Sequence, residues 1–389
     1  FEGEFSLYDV IVAGAGFAGA VFAQRAAEAG RRVLLLEKRG HIGGNMYEEE
    51  MGNGVRVHKY GPHIFHTNST RVFEYLRRFS DFYPYFHKVL AKIDGKLVPV
   101  PFNFRSIDLL FDSEKALSYK EALVRHFGRA GRASIFDLLS HEDPSVRFLG
   151  DFIYRKVFQN YTAKQWGVPI ERIDPSAINR VPVVIGYGDG YFSDACQQMP
   201  VRGFNTLFQN LLASANIEVD LDTNVKDRVA FDGVNKTLLL DGNPFGGTFL
   251  YTGAVDELLD YKYGLLPYRS LRMVFEQHPV EFYQENSVVN YPNEEDFTRI
   301  TEFKYLTGQI LLRATAILKE YPLLYTGEGS DPYYPIINAE NNAAYERYRQ
   351  ELSRYDGLLL CGRLAEYKYF NMDAVVERAL TLADGVFCA

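Results

Sequence analysis

The sequence predicts an α/β fold: a doubly wound nucleotide-binding core interrupted by a helical segment and an antiparallel sheet. Three observations predict it. Val10–Ala13 and Val33–Leu36 are short, continuously apolar runs of the kind that form strands buried on both faces. Between them Gly14-Ala15-Gly16-Phe17-Ala18-Gly19 forms a tight turn, and an alanine-rich helix follows over Ala20–Gly30. From Tyr261 to Tyr325 the pattern changes to alternating strands, which read as an antiparallel sheet.

The glycine pattern is GxGxxG between a strand and a helix. Gly14 permits the turn, Gly16 lets backbone N–H groups approach a pyrophosphate, and Gly19 allows close helix–strand packing. The second strand ends in Glu37, about twenty residues on, where an acidic side chain binds a ribose hydroxyl in such folds. Taken alone the motif also fits a glycine-rich core turn with no ligand; strand, helix and acid in register favour a dinucleotide. Lys38, Arg39, Gly43, Gly44 and Asn45 follow within one short loop.

Farther along, the loop from Gly40 to Asn68 is long, glycine-rich and histidine-bearing, as ordered functional loops are. LAKIDGKLVPVPFN reads as a hairpin turning at Asp94-Gly95. Ser106 to Gly167 reads as helical, and residues 178–194 as extended chain and turn. FNTLFQNLLASA is a helix and IEVDLD a strand that returns to the nucleotide-binding core. KTLLLDGNPFGGTFLYTG adds a hairpin and a strand, and GLLLCG a last strand before a helix beginning near Asn371. The expected organisation is a discontinuous nucleotide-binding domain of residues 1–84, 200–256 and 341–389. A helical domain spans 102–170, with a mobile-loop region to about 190, and a sheet or substrate domain takes 85–101, 171–199 and 257–340.

Composition limits the function. The 389 residues are 47% hydrophobic and carry a net charge of −8, which argues against nucleic acid because phosphate neutralisation needs a basic face. An anionic ligand must be held by locally placed Arg or Lys. Three cysteines without zinc spacing point to a reducing compartment, with the cytoplasm the expected location. No apolar run reaches membrane-spanning length, and the first residues, FEGEFSLY, are acidic and unlike a secretory leader. His63 and His66, three residues apart, lack a third ligand at suitable spacing, so no metal is expected.

The second glycine pair, Gly43-Gly44, and the late Cys361-Gly362-Arg363 resemble flavoproteins of the glutathione-reductase type, which favours FAD over NAD. More specifically, HIGGN, HKYGPHIFHTN, NYTAKQWG, YFSD, LPYRSLR, TRITEFKYLTGQ, KEYPL, DPYYPI and GRLAEYKYFNMD, in order from residue 41 to 373, resemble the bacterial UDP-galactopyranose mutases. That resemblance implies a Rossmann-like FAD-binding domain with an inserted helical domain and an antiparallel β-sheet domain. It implies an isomerase interconverting UDP-galactopyranose and UDP-galactofuranose for cell-surface glycans. The reaction runs without net redox, by attack of reduced flavin N5 on the anomeric carbon. It also implies assembly as a homo-oligomer.

Residue by residue, the resemblance assigns Arg180 and Arg299 to the departing pyrophosphate, where planar guanidinium forks pair phosphate oxygens. Arg180 would ride a mobile lid. Tyr161, Thr162 and Trp166 match the nucleotide-binding stretch, although Trp166 reads equally well as a domain-interface core residue. Tyr191, Tyr321 and Tyr369 match tyrosines that donate to the diphosphate, and Arg269 lies in a matching substrate-side string. His66 is placed beside the flavin as a catalytic residue that responds to N5 protonation and fixes the loop, with no general-acid role. Phe17, Lys38, Arg39, Asn45, His63, Ile64, Gly362, Arg363, Tyr369 and Met372 are placed along the cofactor. Two substrate-side positions depart from the family: His87, expected close to the bound nucleotide, stands where Asn is common, and Phe370-Asn371, with Asn371 expected to bind substrate, stands where Tyr-Asp is common. Asn371 reads locally as the N-cap of the last helix, with Asp373 in its first turn. A flavin amine oxidase or dehydrogenase on the same framework, or an inert nucleotide-sugar-binding protein, are the alternative readings.

Overall fold

A computed structural model describes residues 7–166, 181–327 and 329–388. Its centre is a five-stranded, wholly parallel sheet in the order Ile217–Asp220, Val33–Leu36, Val10–Ala13, Thr248–Tyr251, Leu358–Leu360. Val10–Ala13 is buried at every residue, as a central parallel strand must be. The first helix runs Phe17–Glu28, three residues ahead of the expected start, because Gly16 is the extended N-cap. Gly19 therefore lies in the first helical turn. The C-terminal helix Met372–Phe387 packs along this helix, with Phe22 and Phe387 rings 5.3 Å apart.

A second sheet has seven strands in the order Tyr334–Pro335, Tyr268–His278, Thr315–Leu324, Arg299–Glu302, Val288–Asn290, Val89–Ile93, Lys96–Val100. The hairpin Val89–Val100 turns at Asp94 and Gly95, both with positive φ, as a type I′ turn requires. The sheet is not purely antiparallel. Val288–Asn290 pairs parallel with Val89–Ala91 on one side and antiparallel with Arg299–Thr301 on the other.

The helical segment holds Phe104–Leu110, Ser113–Phe127, Ile135–Leu139 and Pro144–Ile153, then a π-helical stretch, Tyr154–Gln159, and Asn160–Trp166. Asn103, Asp112, Ser134 and Asp143 accept backbone N–H bonds at the starts of the first four, which is why each begins where it does. Three buried clusters underlie the two sheets and the helical segment. Among the described residues no helix is long and apolar enough to cross a membrane.

Candidate active site

A cleft opens at the carboxyl ends of the parallel strands, where ligands sit in open α/β sheets. Its floor is two glycine turns in backbone contact. Gly14, at φ +105°, leaves no room for a side chain, since a Cβ would lie 2.1 Å from Thr252 Oγ1. A Cβ on Gly19 would lie 1.9 Å from the Gly14 carbonyl oxygen, and one on Gly44 would lie 2.9 Å from Gly16 Cα. The Gly43 N–H donates to Ala15 O at 2.9 Å, joining the turns. A Cβ on Gly16 would meet protein no nearer than 3.7 Å. Its missing side chain therefore clears the cleft and not the core.

Glu37 is buried and accepts from the N–H groups of Ala15, at 2.8 Å, and Arg39, at 2.9 Å. The acid expected to bind ribose thus also ties the glycine turn to the second strand. Lys38 pairs with Glu257 at 3.1 Å. Arg39 bonds Asn45 and Asp331, both at 3.0 Å, and lies 4.1 Å from the Tyr60 ring centroid. Phe17, Asn45, His63, Gly362, Arg363 and Met372 line the cleft. Ile64 is in the core cluster below it. The His63 N–H is held by His58 Nδ1 at 3.0 Å, and its own Nδ1 bonds Gly61 O at 2.8 Å. Burial pushes the His63 imidazole down to about 4, so it is neutral near pH 7 with Nε2 free to accept. Arg363 spans two loops, reaching Phe370 O at 2.7 Å and Tyr333 O at 3.2 Å. Asn371 is the N-cap by backbone conformation and lines the cleft, but its side chain makes no capping bond. Asp373, in the first turn, accepts from the Ala374 N–H.

Beside the cleft, the second sheet gathers a cationic, phenol-rich cluster. Arg299 begins its strand, and its Nε lies 2.7 Å from the Glu320 carboxylate on the neighbouring strand. Burial opposes the Arg299 charge, yet Glu320 and the nearby phenols of Tyr161 and Tyr334 hold its pKa above the ordinary guanidinium value. Arg269 is buried and feels Tyr369, Tyr161 and Tyr334; burial pushes it down to about 10, so it remains cationic near neutrality. Tyr161 feels Arg299, Tyr191, Glu320 and Arg269, and its burial raises the phenol pKa, keeping the hydroxyl a donor. It follows the π-helical stretch, a distortion common at functional sites. Thr162 beside it is buried.

Tyr191 closes another wall, with its N–H on His87 O at 2.8 Å and its ring edge-on to His87 at 5.5 Å. His87 is buried and pushed down to about 3, first by burial and then by Arg299, so it is a neutral imidazole. His66 stacks on Phe192 at 3.7 Å and bonds Asp194 through Nδ1 at 2.9 Å. His66 is not among the residues lining the dinucleotide cleft. Among the described residues no group of three His, Cys, Asp or Glu could hold a metal.

Tyr321 does not join the cluster. Adjacent strand residues point to opposite faces, so with Glu320 facing Arg299, Tyr321 faces away. Its ring lies under Arg272 at 3.8 Å and near Phe297. The tyrosine that does join is Tyr334, missed by sequence reasoning. The Arg363 guanidinium, 4.2 Å from its ring centroid, holds its hydroxyl below the ordinary phenol range, and Arg299 acts in the same sense. Glu320 and Asp194 were missed as well. The alternation in KEYPL would have separated Glu320 from Tyr321; nothing local singles out Asp194. Arg180 and the side chain of Trp166 lie outside the described residues.

A family model described as UDP-galactopyranose mutase matches residues 156–369, and one for an NAD(P)-binding Rossmann-like domain matches 12–79. The chain belongs to the UDP-galactopyranose mutase family. Within and around that family, it is 33% identical to the UDP-galactopyranose mutase of Mycoplasma pneumoniae, over 97% of this chain and 96% of that one. It is equally 33% identical to a dTDP-fucopyranose mutase of Escherichia coli, over 96% and 97%. A crystal structure of a reduced UDP-galactopyranose mutase superposes with a TM-score of 0.66 at 17% identity, covering 98% of this chain and 96% of that one. A putrescine oxidase shares the fold at a TM-score of 0.60 and 10% identity, covering 98% and 99%. The UDP-galactopyranose mutase family is one of isomerases, and this chain carries its Rossmann-like dinucleotide-binding domain.

Proposed function

We propose that this chain interconverts UDP-galactopyranose and UDP-galactofuranose with reduced FAD in the cleft and no net redox change, supplying galactofuranose to cell-surface glycans, and that it works as a homo-oligomer. The observation that carries the reading is the adjacency of the two sites. His63 and Arg363 line the dinucleotide cleft, and Tyr334 touches Arg363 on one side while both His63 and Tyr334 feel Arg299 on the other. A sugar diphosphate held by the cationic cluster would present its sugar to the cofactor. An amine oxidase has no use for such a cluster.

The glycine floor, Glu37 and the half-buried neutral His63 fit an adenine dinucleotide whose pyrophosphate lies on the first helix's N-terminus. When bound and reduced, the flavin supplies N5 as the nucleophile toward the anomeric carbon. The protein's own residues do the rest. Arg299, together with Arg180, neutralises the charge that grows on the pyrophosphate as the C1–O bond breaks. Glu320 orients the Arg299 fork. Tyr161 stacks on the pyrimidine, and the hydroxyls of Tyr191, Tyr334 and Tyr369 donate to phosphate without adding charge.

The E. coli relative favours a second reading, a deoxythymidine diphosphate 6-deoxysugar as substrate. The test is to incubate the purified chain with UDP-galactofuranose or dTDP-fucofuranose, with and without dithionite, and to identify the released cofactor. Conversion of the UDP sugar only after reduction, with FAD released on denaturation, is the expected result. Turnover of the dTDP sugar alone would transfer the assignment to the second reading, and equal rates with oxidised protein would overturn the chemistry.

A further inference from the structure

Behind the His63 turn lies a buried polar pair that the proposed chemistry leaves unused. Glu48 and His58 face each other across a two-stranded ribbon, Glu48–Glu50 with Arg56–His58. The His58 ring is fully buried, with the Phe204 and Phe303 ring centroids 5.7 and 5.6 Å from its own. Its Nδ1 accepts the His63 N–H at 3.0 Å, and burial holds the ring neutral, well below the ordinary histidine value. The proton of this neutral ring is therefore on Nε2, which lies 3.6 Å from Glu48 Oε1 and makes no hydrogen bond. Arg56 Nε, also buried and without a hydrogen bond, lies 3.8 Å from the same oxygen. Backbone seals the far side of the carboxylate. The Asn205 N–H donates to Glu48 Oε2 at 3.4 Å, and a Cβ on Gly203, at φ +79°, would lie 2.1 Å from that oxygen. A buried carboxylate between two unmatched buried donors costs stability, which calls for a use that offsets it.

We infer that Glu48 and His58 are positioning residues that fix which nitrogen His63 turns toward the cofactor cleft. A carbonyl oxygen only accepts, so the 2.8 Å bond between His63 Nδ1 and Gly61 O puts the His63 proton on Nδ1. That leaves the Nε2 lone pair for the cleft that His63 lines. His58 holds both ends of the turn that makes this bond. Its carbonyl accepts the Gly61 N–H at 3.3 Å, and its Nδ1 accepts the His63 N–H. The Glu48 carboxylate, beside His58 Nε2, favours the tautomer that keeps the proton there, which is the one neutral form able to accept from His63. In the other tautomer two N–H groups would confront each other, and the turn would have to move. The two histidines thus carry opposite tautomers, ordered from the buried carboxylate outward to the cleft. Reduction adds N–H groups to an isoalloxazine ring, so an acceptor lone pair in the cleft favours the reduced cofactor that the proposed reaction needs.

The inference rests on the FAD reading of the cleft and adds the residues that bias it toward reduction. The test is the flavin reduction potential of the purified holoprotein, by dye equilibration, in the wild type, His58→Leu, His58→Asn and Glu48→Gln. Circular dichroism, FAD content and UDP affinity are measured beside it. His58→Leu removes the acceptor and should disfavour the reduced form about tenfold, or ~30 mV for a two-electron couple. His58→Asn offers a side-chain oxygen to the His63 N–H and should return the ratio to within about threefold of wild type. Glu48→Gln removes the charge that selects the tautomer and should disfavour reduction about threefold, a readout that stands even where the leucine variant does not fold. UDP affinity, which a general loosening of the fold would lower, should stay unchanged in all three. Heteronuclear NMR of labelled histidines in the wild type should show His58 protonated on Nε2 and His63 on Nδ1. The same tautomer in both rings, or an unchanged potential in FAD-loaded His58→Leu and Glu48→Gln, overturns the inference. So do equal losses in the leucine and asparagine variants, or losses shared by UDP affinity. A wild type that releases no FAD overturns the cofactor reading itself.

Discussion

At the scale of single residues, the site depends on one guanidinium held by one carboxylate. Arg299 is aimed by Glu320, which is itself 2% exposed and so has few other partners. A charge-assisted hydrogen bond to phosphate contributes roughly 1.5–3 kcal/mol, so Arg299→Ala should lower kcat/KM by about ten- to several hundredfold, part of it in kcat. Arg180→Ala should behave alike, and flavin content should not change in either. Lysine should rescue little, because a point charge cannot reproduce the fork. Near-wild-type kinetics in both alanine variants would place the diphosphate elsewhere. Glu320→Gln keeps the shape and removes the charge that steadies Arg299. It should lower kcat/KM by about tenfold with the cofactor retained, as steady-state kinetics beside an absorbance spectrum would register.

At the scale of elements, alternation along a strand decides which side chains reach the site. Glu320 and Tyr321 are neighbours in sequence, yet one meets Arg299 and the other Arg272. Tyr333 and Tyr334 divide likewise, the first lining the dinucleotide cleft and the second meeting Arg363 from the other side. Tyr334→Phe should therefore reduce kcat/KM several-fold while Tyr321→Phe leaves it within twofold; the reverse order would contradict the strand register. The strand–turn–helix element yields another expectation. Gly16→Val should give a folded but colourless protein, because a side chain there meets open cleft and not core; a yellow Gly16→Val protein would exclude pyrophosphate at that turn. These elements also mark how far the sequence could be read. The parallel strands and the Asp94-Gly95 hairpin were legible because buried apolar runs and turn chemistry are local signals. The first helix began three residues early because Gly16 caps it through backbone conformation alone. The parallel pairing of Val288–Asn290 with Val89–Ala91, and the contact of Asp194 with His66, link residues far apart in sequence and have no local signal.

At the scale of the whole molecule, two neutral histidines, His87 buried and His63 half-buried, couple the site to stability. His63 and His87 are pushed down to about 4 and about 3, in both cases chiefly by burial. An unfolded chain holds its histidines near 6.5. Between pH 6.5 and pH 4 the unfolded state therefore binds more protons at these positions than the folded state does. Stability must then rise with pH across that window and fall as acid is added, at up to ~1.4 kcal/mol per pH unit for each histidine. Above pH 6.5 both states are neutral at these rings and the contribution is flat. Replacing either ring by a group that does not titrate should flatten the slope, whatever it does to the absolute stability. Urea midpoints of the wild type, His63→Asn and His87→Asn between pH 4 and pH 7 measure this directly. The wild type should lose stability steeply below pH 6.5, and each variant should lose it less steeply. Parallel pH profiles in all three proteins would mean that neither ring is held neutral by the fold. The accepting His63 Nε2 assigned to the cleft would then have to be given up.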